Sequence, residues 1–343
     1  MSSPSASADA RDRLYQMIGG YRVSQLIRAA ARLGICDSLA DGPRDAPAVA
    51  ADAGADPALV RRLMRALTAL GVLVEGQDRR FANTELGRLL TRDAPGSVRD
   101  TSLGLTDDAQ WEAWERLPDG IAQGLVPMEL AHGRPYWDVL KQDPAVSDRF
   151  NRFMVAQTQG FVPQLLAAFD FSSAGRIVDV GGGNGTLAAG ILAAHPTLRA
   201  TLFDLEPGLE GAHEYLGARG VSERCDLVIG SFFDEVPGGG DVYLLSRILH
   251  DWHDGKAAEI LAACRRAMRP GATLLVMDQV LPDRAVEGPR ERYALISDMH
   301  MFVLFGARER SERELREMLG SVGFEVQQIV PATPMSVVVS RAV

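Results

Sequence analysis

One local string constrains this chain more than any other. Ile177-Val178-Asp179-Val180 is a short apolar run that ends in Gly181-Gly182-Gly183-Asn184-Gly185, and Thr186–Ala194 then reads as a helix. A strand that enters a helix through consecutive glycines lets a ligand approach the backbone and leaves N–H groups unpaired at the helix start. Short β-rich runs alternate with helical stretches downstream: Arg176–Val180, Ala200–Phe203, Asp226–Ile229, Val242–Leu245, Thr273–Met277, Val326–Val330 and Ser336–Val339. Near-continuous apolar strands between helices predict an α/β domain over 171–343, with a parallel sheet covered on both faces.

The first half reads differently. Residues 1–10 are Ser/Ala-rich and are expected to form a loose tail, with neither the basic nor the apolar region of a secretory signal. Residues 11–100 carry helical patterns. Leu14, Ile18, Val23, Leu26, Ile27, Ala30 and Leu33 precede Gly34, and Leu59, Leu63, Leu67 and Leu70 repeat behind Asp56 as helix cap and Pro57 at the first helical position. Val72–Val74 and Arg79–Ala82 then predict a hairpin, completing a winged-helix pattern. That pattern suggests DNA binding. The near balance of acids and arginines over residues 1–100, and a net charge of −9 for the chain, favour packing or dimerisation instead. Residues 101–170 read as a helical bridge rich in aromatics, including Trp111, Trp114, Tyr136, Trp137, Phe150, Phe153 and Phe161.

Composition narrows the function classes. No apolar run is long enough for a transmembrane helix, and the acidic balance disfavours docking on anionic lipid. Cys36, Cys225 and Cys264 are odd in number and widely spaced, as expected of free thiols in the cytoplasm. Only Lys141 and Lys256 are lysines, which leaves little room for Schiff-base chemistry.

The glycine loop alone does not name a ligand. A dinucleotide fingerprint needs a third glycine at the position held by Thr186. The compressed pattern suits a nucleoside joined to an amino-acid moiety better than a pyrophosphate. Asp204, at the end of the next strand, can accept bonds from both ribose hydroxyls, and that geometry serves NAD and S-adenosylmethionine equally. Phe232 and Phe233 follow the third strand, where an adenine would meet an aromatic ring, although ordinary sheet–helix packing explains them equally well.

Read together, Val178–Gly185, Phe203-Asp204-Leu205, Phe232-Phe233, the string Gly239-Gly240-Asp241-Val242-Tyr243-Leu244-Leu245-Ser246-Arg247-Ile248-Leu249-His250-Asp251-Trp252, and Glu309-Arg310 resemble the caffeate/acetylserotonin type of O-methyltransferase. That family includes plant phenol methyltransferases and bacterial antibiotic-tailoring enzymes. The resemblance spans nearly the whole chain. It implies a Rossmann-like, seven-stranded class I methyltransferase sheet whose last strand is antiparallel, and homodimers formed through a winged-helix N-terminal domain. By match, Gly181, Gly183, Asp204 and Leu205 would hold the methionine and ribose parts of S-adenosylmethionine. Phe232, Arg247 and Trp252 would line the adenine and sulfonium region. Ser231 departs from the aspartate usual there, which predicts looser cofactor binding.

The resemblance also frames the chemistry. A phenol of pKa about 10 must lose its proton before it attacks a methyl carbon, and histidine suits that task. His250 is the expected base, with Asp278 and Glu309 as the family's acidic orienters. For Glu309, pairing with Arg308 or Arg310 is the plain alternative. His253 is read as a solvated helix-start residue, and no metal is expected at His250/His253. Met154, Gln157, Met299, His300 and Met301 are expected to face the acceptor, with Phe153 and Phe302 as weaker candidates. His300, commonly aliphatic in the family, would read a substrate carbonyl or hydroxyl. The resulting expectation is methylation of a small aromatic hydroxyl in secondary metabolism, leaving S-adenosylhomocysteine. The rivals are a decarboxylase or hydroxylase relative that keeps the cofactor, a ligand-binding winged-helix regulator, and a nicotinamide dehydrogenase.

Overall fold

A computed structural model describes residues 4–343, with side chains from residue 9 onward. The chain divides into two compact units, Met1–Trp111 with Asp143–Ala156, and Glu112–Gln142 with Gln157–Val343. The bridge expected over 101–170 is thereby shared between them, and its long helix Pro144–Ala168 contributes residues to both.

In the first unit, helices Pro4–Ile18, Gly20–Arg32, Ala46–Ala53 and Pro57–Ala69 lead to a hairpin of β1 (Leu73–Glu75) and β2 (Phe81–Asn83). The loose tail expected over 1–10 is corrected: residues 4–10 open the first helix, and residues 1–3 lie outside the described residues. Pro4 is tolerated in a first helical turn, and Ala6, Ala8 and Ala10 carry the highest helix propensity. The side chain of Asp56 caps its helix by accepting from the Leu59 N–H at 2.9 Å, with Pro57 next to it. The inward row of that helix is Val60, Met64 and Leu67, while Leu59 points out. These residues join Ile35, Leu39, Val49, Leu73 and Phe81 in one core.

The second unit is built on a sheet of seven strands. They are β3 (Arg176–Val180), β4 (Arg199–Asp204), β5 (Cys225–Ile229), β6 (Val242–Ser246), β7 (Thr273–Asp278), and, after the short pair β8 (Val280–Leu281) and β9 (Arg310–Ser311), β10 (Phe324–Ala332) and β11 (Met335–Ala342). Their order is β10-β11-β7-β6-β3-β4-β5. Strands β3 to β7 are mutually parallel, and β11 runs antiparallel to both its neighbours. Alternate residues serve opposite faces. Ile177, Leu202, Leu244 and Leu275 pack with Leu187 and Ile191 of helix Thr186–Ala194, while Val178, Phe203, Leu245 and Val276 pack with Ile260, Leu261 and Cys264 of helix Asp254–Ala267. The edge strand β5 departs from the two-sided pattern, because Asp226, Leu227 and Ile229 are exposed.

β3 lies between β4 and β6, so successive connections leave it in opposite directions. In an open α/β sheet that switch point opens a crevice at the carboxyl ends of the strands. The loops after β3, β4, β6 and β7 all emerge there. No helix among the described residues is long and apolar enough to cross a membrane.

Candidate active site

The loop after β3 is held open by backbone conformation. Gly181, Gly183 and Gly185 have φ of 71°, 58° and 81°, a left-handed region that side-chain-bearing residues rarely adopt. A Cβ on Gly181 would meet Ile248 Cδ1 at 2.6 Å, whereas one on Gly183 would meet no atom within 4 Å. The free space therefore lies at Gly183, and its N–H donates to Asp204 Oδ2 at 2.8 Å. The other oxygen of Asp204 accepts from the Leu205 N–H at 2.7 Å. Leu205 contributes this backbone group, and its side chain is exposed. Burial raises the Asp204 carboxyl above the usual range, although these two backbone bonds oppose the shift. Nearby Asp179 is fully enclosed, with an oxygen lacking a hydrogen-bond partner; burial, then the charge of Asp204, pushes its carboxyl up to about 7. Open glycines beside an acid at a strand end fit a ribose and an amino-acid moiety.

An aromatic group follows β5. Phe233 meets Trp252 edge-on at 4.8 Å, and Phe232 lies 4.9 Å from Phe233 and 6.2 Å from Trp252. Phe232 also borders the loop, with its Cε1 3.5 Å from where a Gly181 Cβ would sit. The Ser231 Oγ accepts from the Phe233 N–H at 3.2 Å, which leaves its O–H free to donate.

Arg247 follows β6 directly and is held at φ 54°. A non-glycine residue in this region is uncommon and stays there only when its surroundings impose it. Its backbone N–H bonds Met277 O at 3.0 Å, and Nη1 donates to Thr158 Oγ1 at 3.2 Å. Nη2 is enclosed without a partner. Burial pulls this guanidinium down to about 10 against the raising effect of nearby Tyr293, Asp278 and Glu309.

His250 follows on the short turn Leu249–Asp251 and is buried. Its Nδ1 lies 3.0 Å from Glu309 Oε1 and 3.8 Å from Asp278 Oδ1. The first distance is a hydrogen bond and the second is charge proximity. Across the ring, Nε2 is 3.6 Å from Asp251 Oδ1, too far to bond. The carboxylate thus fixes the proton on Nδ1, and the lone pair of the neutral ring sits on Nε2. Burial alone disfavours the imidazolium, but the charges of Glu309, Asp278 and Asp251 outweigh it and push His250 up to about 10. Burial in turn pushes the carboxyls of Asp251 and Asp278 up, to about 7 and 6.

Glu309 does not pair with its basic neighbours. Arg308 binds Asp254 at 2.9 Å and Glu314 at 2.7 Å. Arg310 is buried and donates to the Leu249 and Trp252 carbonyls, both at 2.8 Å, bracketing His250. Glu309 Oε1 instead accepts from Ser297 Oγ at 3.0 Å, and its own N–H donates to Asp298 Oδ1 at 2.9 Å. Ser297, Asp298, Thr158, Asp251 and Arg310 carry no role in the sequence reading. Ser297 and Asp298 lie on helix Pro289–Phe305, which also carries Met299, His300 and Met301. His253 is exposed and caps helix Asp254–Ala267, its Nδ1 accepting from the Lys256 N–H at 3.5 Å.

The expected acceptor residues come from both units. Gln157, Met299 and His300 are half-buried, and Met301 is buried, all in the second unit. Met154 belongs to the first unit, as does Phe153, which packs on Gly104 so tightly that a Cβ there would lie 2.5 Å from its own. Phe302 is half-buried on the same helix as Met299. His300 Nδ1 accepts from Trp114 Nε1 at 3.1 Å, an arrangement that sequence spacing does not signal.

Comparison with known proteins gives a consistent picture. A family model described as O-methyltransferase domain matches residues 114–325, and one described as O-methyltransferase dimerisation domain matches residues 15–93. The chain is 35% identical over 339 residues to a mitomycin biosynthesis 6-O-methyltransferase of Streptomyces lavendulae, covering 98% of this chain and 96% of that one. It is 36% identical over 331 residues to the phenazine O-methyltransferase PhzM of Lysobacter antibioticus, covering 96% of each. An 8-amino-8-demethylriboflavin N,N-dimethyltransferase of Streptomyces davaonensis is 34% identical, with 94% and 92% covered. The crystal structure of LaPhzM superposes with a TM-score of 0.91 at 36% identity, covering 97% of this chain and 99% of that one. The neocarzinostatin biosynthesis O-methyltransferase, solved with S-adenosylmethionine and 2-hydroxy-5-methyl naphthoic acid, superposes at 0.77 with 31% identity, covering 94% and 96%.

Proposed function

Because this chain belongs to the O-methyltransferase family, carrying both its dimerisation and its methyltransferase domains, we propose that it transfers a methyl group from S-adenosylmethionine to a hydroxyl of a small aromatic acceptor of secondary metabolism, with His250 as general base and S-adenosylhomocysteine as the second product. The observation that carries the base is the 3.0 Å contact of His250 Nδ1 with Glu309, which leaves Nε2 as the proton acceptor. When bound, S-adenosylmethionine supplies a methyl group already activated on a sulfonium for in-line displacement. The chain's residues do the rest. Gly181 and Gly183 admit the ligand to the backbone, Asp204 with the Leu205 backbone holds the ribose, and Ser231, Phe232, Arg247 and Trp252 border the nucleoside. Gln157, Met299, His300 and Met301 orient the ring. His250 takes the hydroxyl proton at Nε2. Glu309 steadies the imidazolium through the bond, and Asp278 does so through charge.

Such a base contributes about 10²–10⁴-fold. The carboxylates raise the proton affinity of His250, and a cation held in the adjoining crevice would lower it again by like-charge repulsion. The relative that dimethylates an amine shows that this architecture is also used for nitrogen. A neutral amine needs no deprotonation before it attacks, so the enclosed His250–Glu309 pair favours an oxygen acceptor. We further infer that two chains pair through the N-terminal helices, supported by the exposed apolar residues Leu14, Tyr15, Met17, Ile18 and Tyr21. The enzyme works in the cytoplasm without nucleic acid or membrane, a reading supported by its three unpaired buried cysteines and its acidic balance.

The test is mass spectrometry of protein incubated with methyl-labelled S-adenosylmethionine and a panel of phenolic, naphthoate and quinone acceptors, beside His250→Ala. Label on an acceptor oxygen, nearly lost in the variant, is the expected result. Decarboxylated or hydroxylated products without label would overturn it.

A further inference from the structure

Trp114 and His300 form a pair whose hydrogen bond the acceptor-orienting role of His300 does not by itself explain. The indole N–H can only donate, so at 3.1 Å His300 Nδ1 must be the acceptor. The rings lie 6.0 Å apart at an interplanar angle of 17°, so the imidazole is held in plane with the indole as well as bonded to it. A ring accepting at Nδ1 is neutral and carries its proton on Nε2. Burial, reinforced by the charge of His250, holds His300 down to about 4, in keeping with a ring that stays neutral.

The position of this donor matters. His300 lies three residues beyond Ser297 on helix Pro289–Phe305, and residues so spaced share a helix face. Ser297 bonds Glu309, the partner of His250. The Nε2–H thus lies on the side of the helix that carries the His250–Glu309 pair. It donates to no described residue, and Nε2 is not among the fully enclosed polar atoms that lack a partner, so it reaches open space. A half-buried donor fixed by its neighbour calls for a ligand atom that only accepts. A neutral ring offers a carboxylate no counter-charge, which favours a neutral carbonyl oxygen.

We propose that His300, fixed by Trp114 with its proton on Nε2, is the hydrogen-bond donor that selects acceptors bearing a ring carbonyl beside the hydroxyl to be methylated, a hydroxyquinone or keto-phenol class. The inference rests on the methyl-transfer reading above and names its substrate class. A site built to bond a polar group rejects analogues that lack it far more strongly than an apolar pocket does.

The experiment compares 5-hydroxy-1,4-naphthoquinone with 1-naphthol on wild type, His300→Leu and Trp114→Phe. It reads kcat/KM, and also acceptor Kd in the presence of S-adenosylhomocysteine. Wild type should prefer the quinone by about 10²-fold in both measures. His300→Leu should cut that preference to below about tenfold with cofactor affinity unchanged, and Trp114→Phe should fall between. An undiminished preference in His300→Leu, or no preference in wild type, overturns the proposal. Nitrogen-15 NMR of wild type should show His300 as a neutral Nε2–H ring from pH 6 to 8; an Nδ1–H ring or titration near pH 6.5 overturns it as well. The binding and NMR readings need no turnover. Discriminating binding without any methyl transfer would sink the proposed activity and leave this assignment standing.

Discussion

At Glu309 a single carboxylate oxygen accepts from both His250 Nδ1 and Ser297 Oγ, each at 3.0 Å, while its other oxygen is enclosed without a partner. That arrangement commits the charge of Glu309 to the imidazole. Glu309→Gln removes the charge and keeps the shape. His250 is active unprotonated, so losing a neighbouring anion lowers its pKa and moves the acid limb of the kcat/KM–pH profile to lower pH, by about 1–3 units. The maximal rate falls, by roughly 10²–10⁴-fold, as the imidazolium loses its partner. An unmoved limb would assign the tuning to Asp278 instead. Ser231 gives a second residue-scale prediction. Aspartate there can keep the bond from the Phe233 N–H and adds a charge, and charge-assisted bonds are roughly twice as strong as neutral ones. Ser231→Asp should tighten S-adenosylmethionine binding by about tenfold in calorimetry. An unchanged Kd would show that the sequence departure is neutral. His250 and Glu309 are legible in sequence because the family strings contain them, and Asp278 because the resemblance implies an acidic orienter there. Their division of labour is not, since a bond at 3.0 Å and a charge at 3.8 Å look alike in sequence.

At the scale of elements, the loop Gly181–Gly185 is the one proposed to admit the cofactor. Gly183→Ala places a Cβ at φ 58° into open space. Strain alone costs about 1–2 kcal/mol. Because the ligand must approach through that space, S-adenosylmethionine affinity should fall by more than about tenfold. Gly271 is the control: it sits at φ 81° with nothing within 4 Å, in the turn before β7. Gly271→Ala should cost similar stability and leave cofactor affinity unchanged in the same titration. Equal affinity losses at both positions would move the ligand away from Gly183. Elements were the most legible level of this chain. All seven strands appear where apolar runs predict them: β3, β4, β6, β7 and β11 are buried among neighbours of the same pattern, whereas the edge strands β5 and β10 are partly exposed. Helix Pro57–Ala69 shows where the pattern ran out. Of Leu59, Leu63, Leu67 and Leu70, the last three pack on the core, but Leu59 is exposed and the most buried positions are Val60, Met64 and Leu67, because helix rotation is set by the core it meets and not by which residues are leucine.

Across the whole molecule, the buried acids around the crevice make stability depend on pH. Asp179, Asp251 and Asp278 are raised to about 7, 7 and 6, and His250 to about 10. A group whose folded pKa is raised stabilises the fold below its unfolded pKa and loses that contribution as pH climbs through the folded value. The lowered surface carboxylates, such as Asp108, Asp226 and Glu314, act oppositely: their contribution is fully present above about pH 5 and is lost only as pH falls into the acid range. Tm of the cofactor-free protein should therefore fall between pH 6 and pH 9 in a thermal scan; a rising Tm would mean that these acids ionise freely. The two-unit organisation was only partly legible. The bridging residues 101–170 read as one segment, but contacts distant in sequence divide them between the two units. The central claim, that His250 removes the acceptor's proton, is tested most directly by single-turnover methyl transfer to a series of phenols of falling pKa, comparing wild type with His250→Ala. The account predicts a loss of about 10²–10⁴-fold for phenols of pKa about 10, shrinking towards none for phenols already ionised at assay pH. A loss of equal size across the whole series would contradict it and reduce His250 to a structural part of the site.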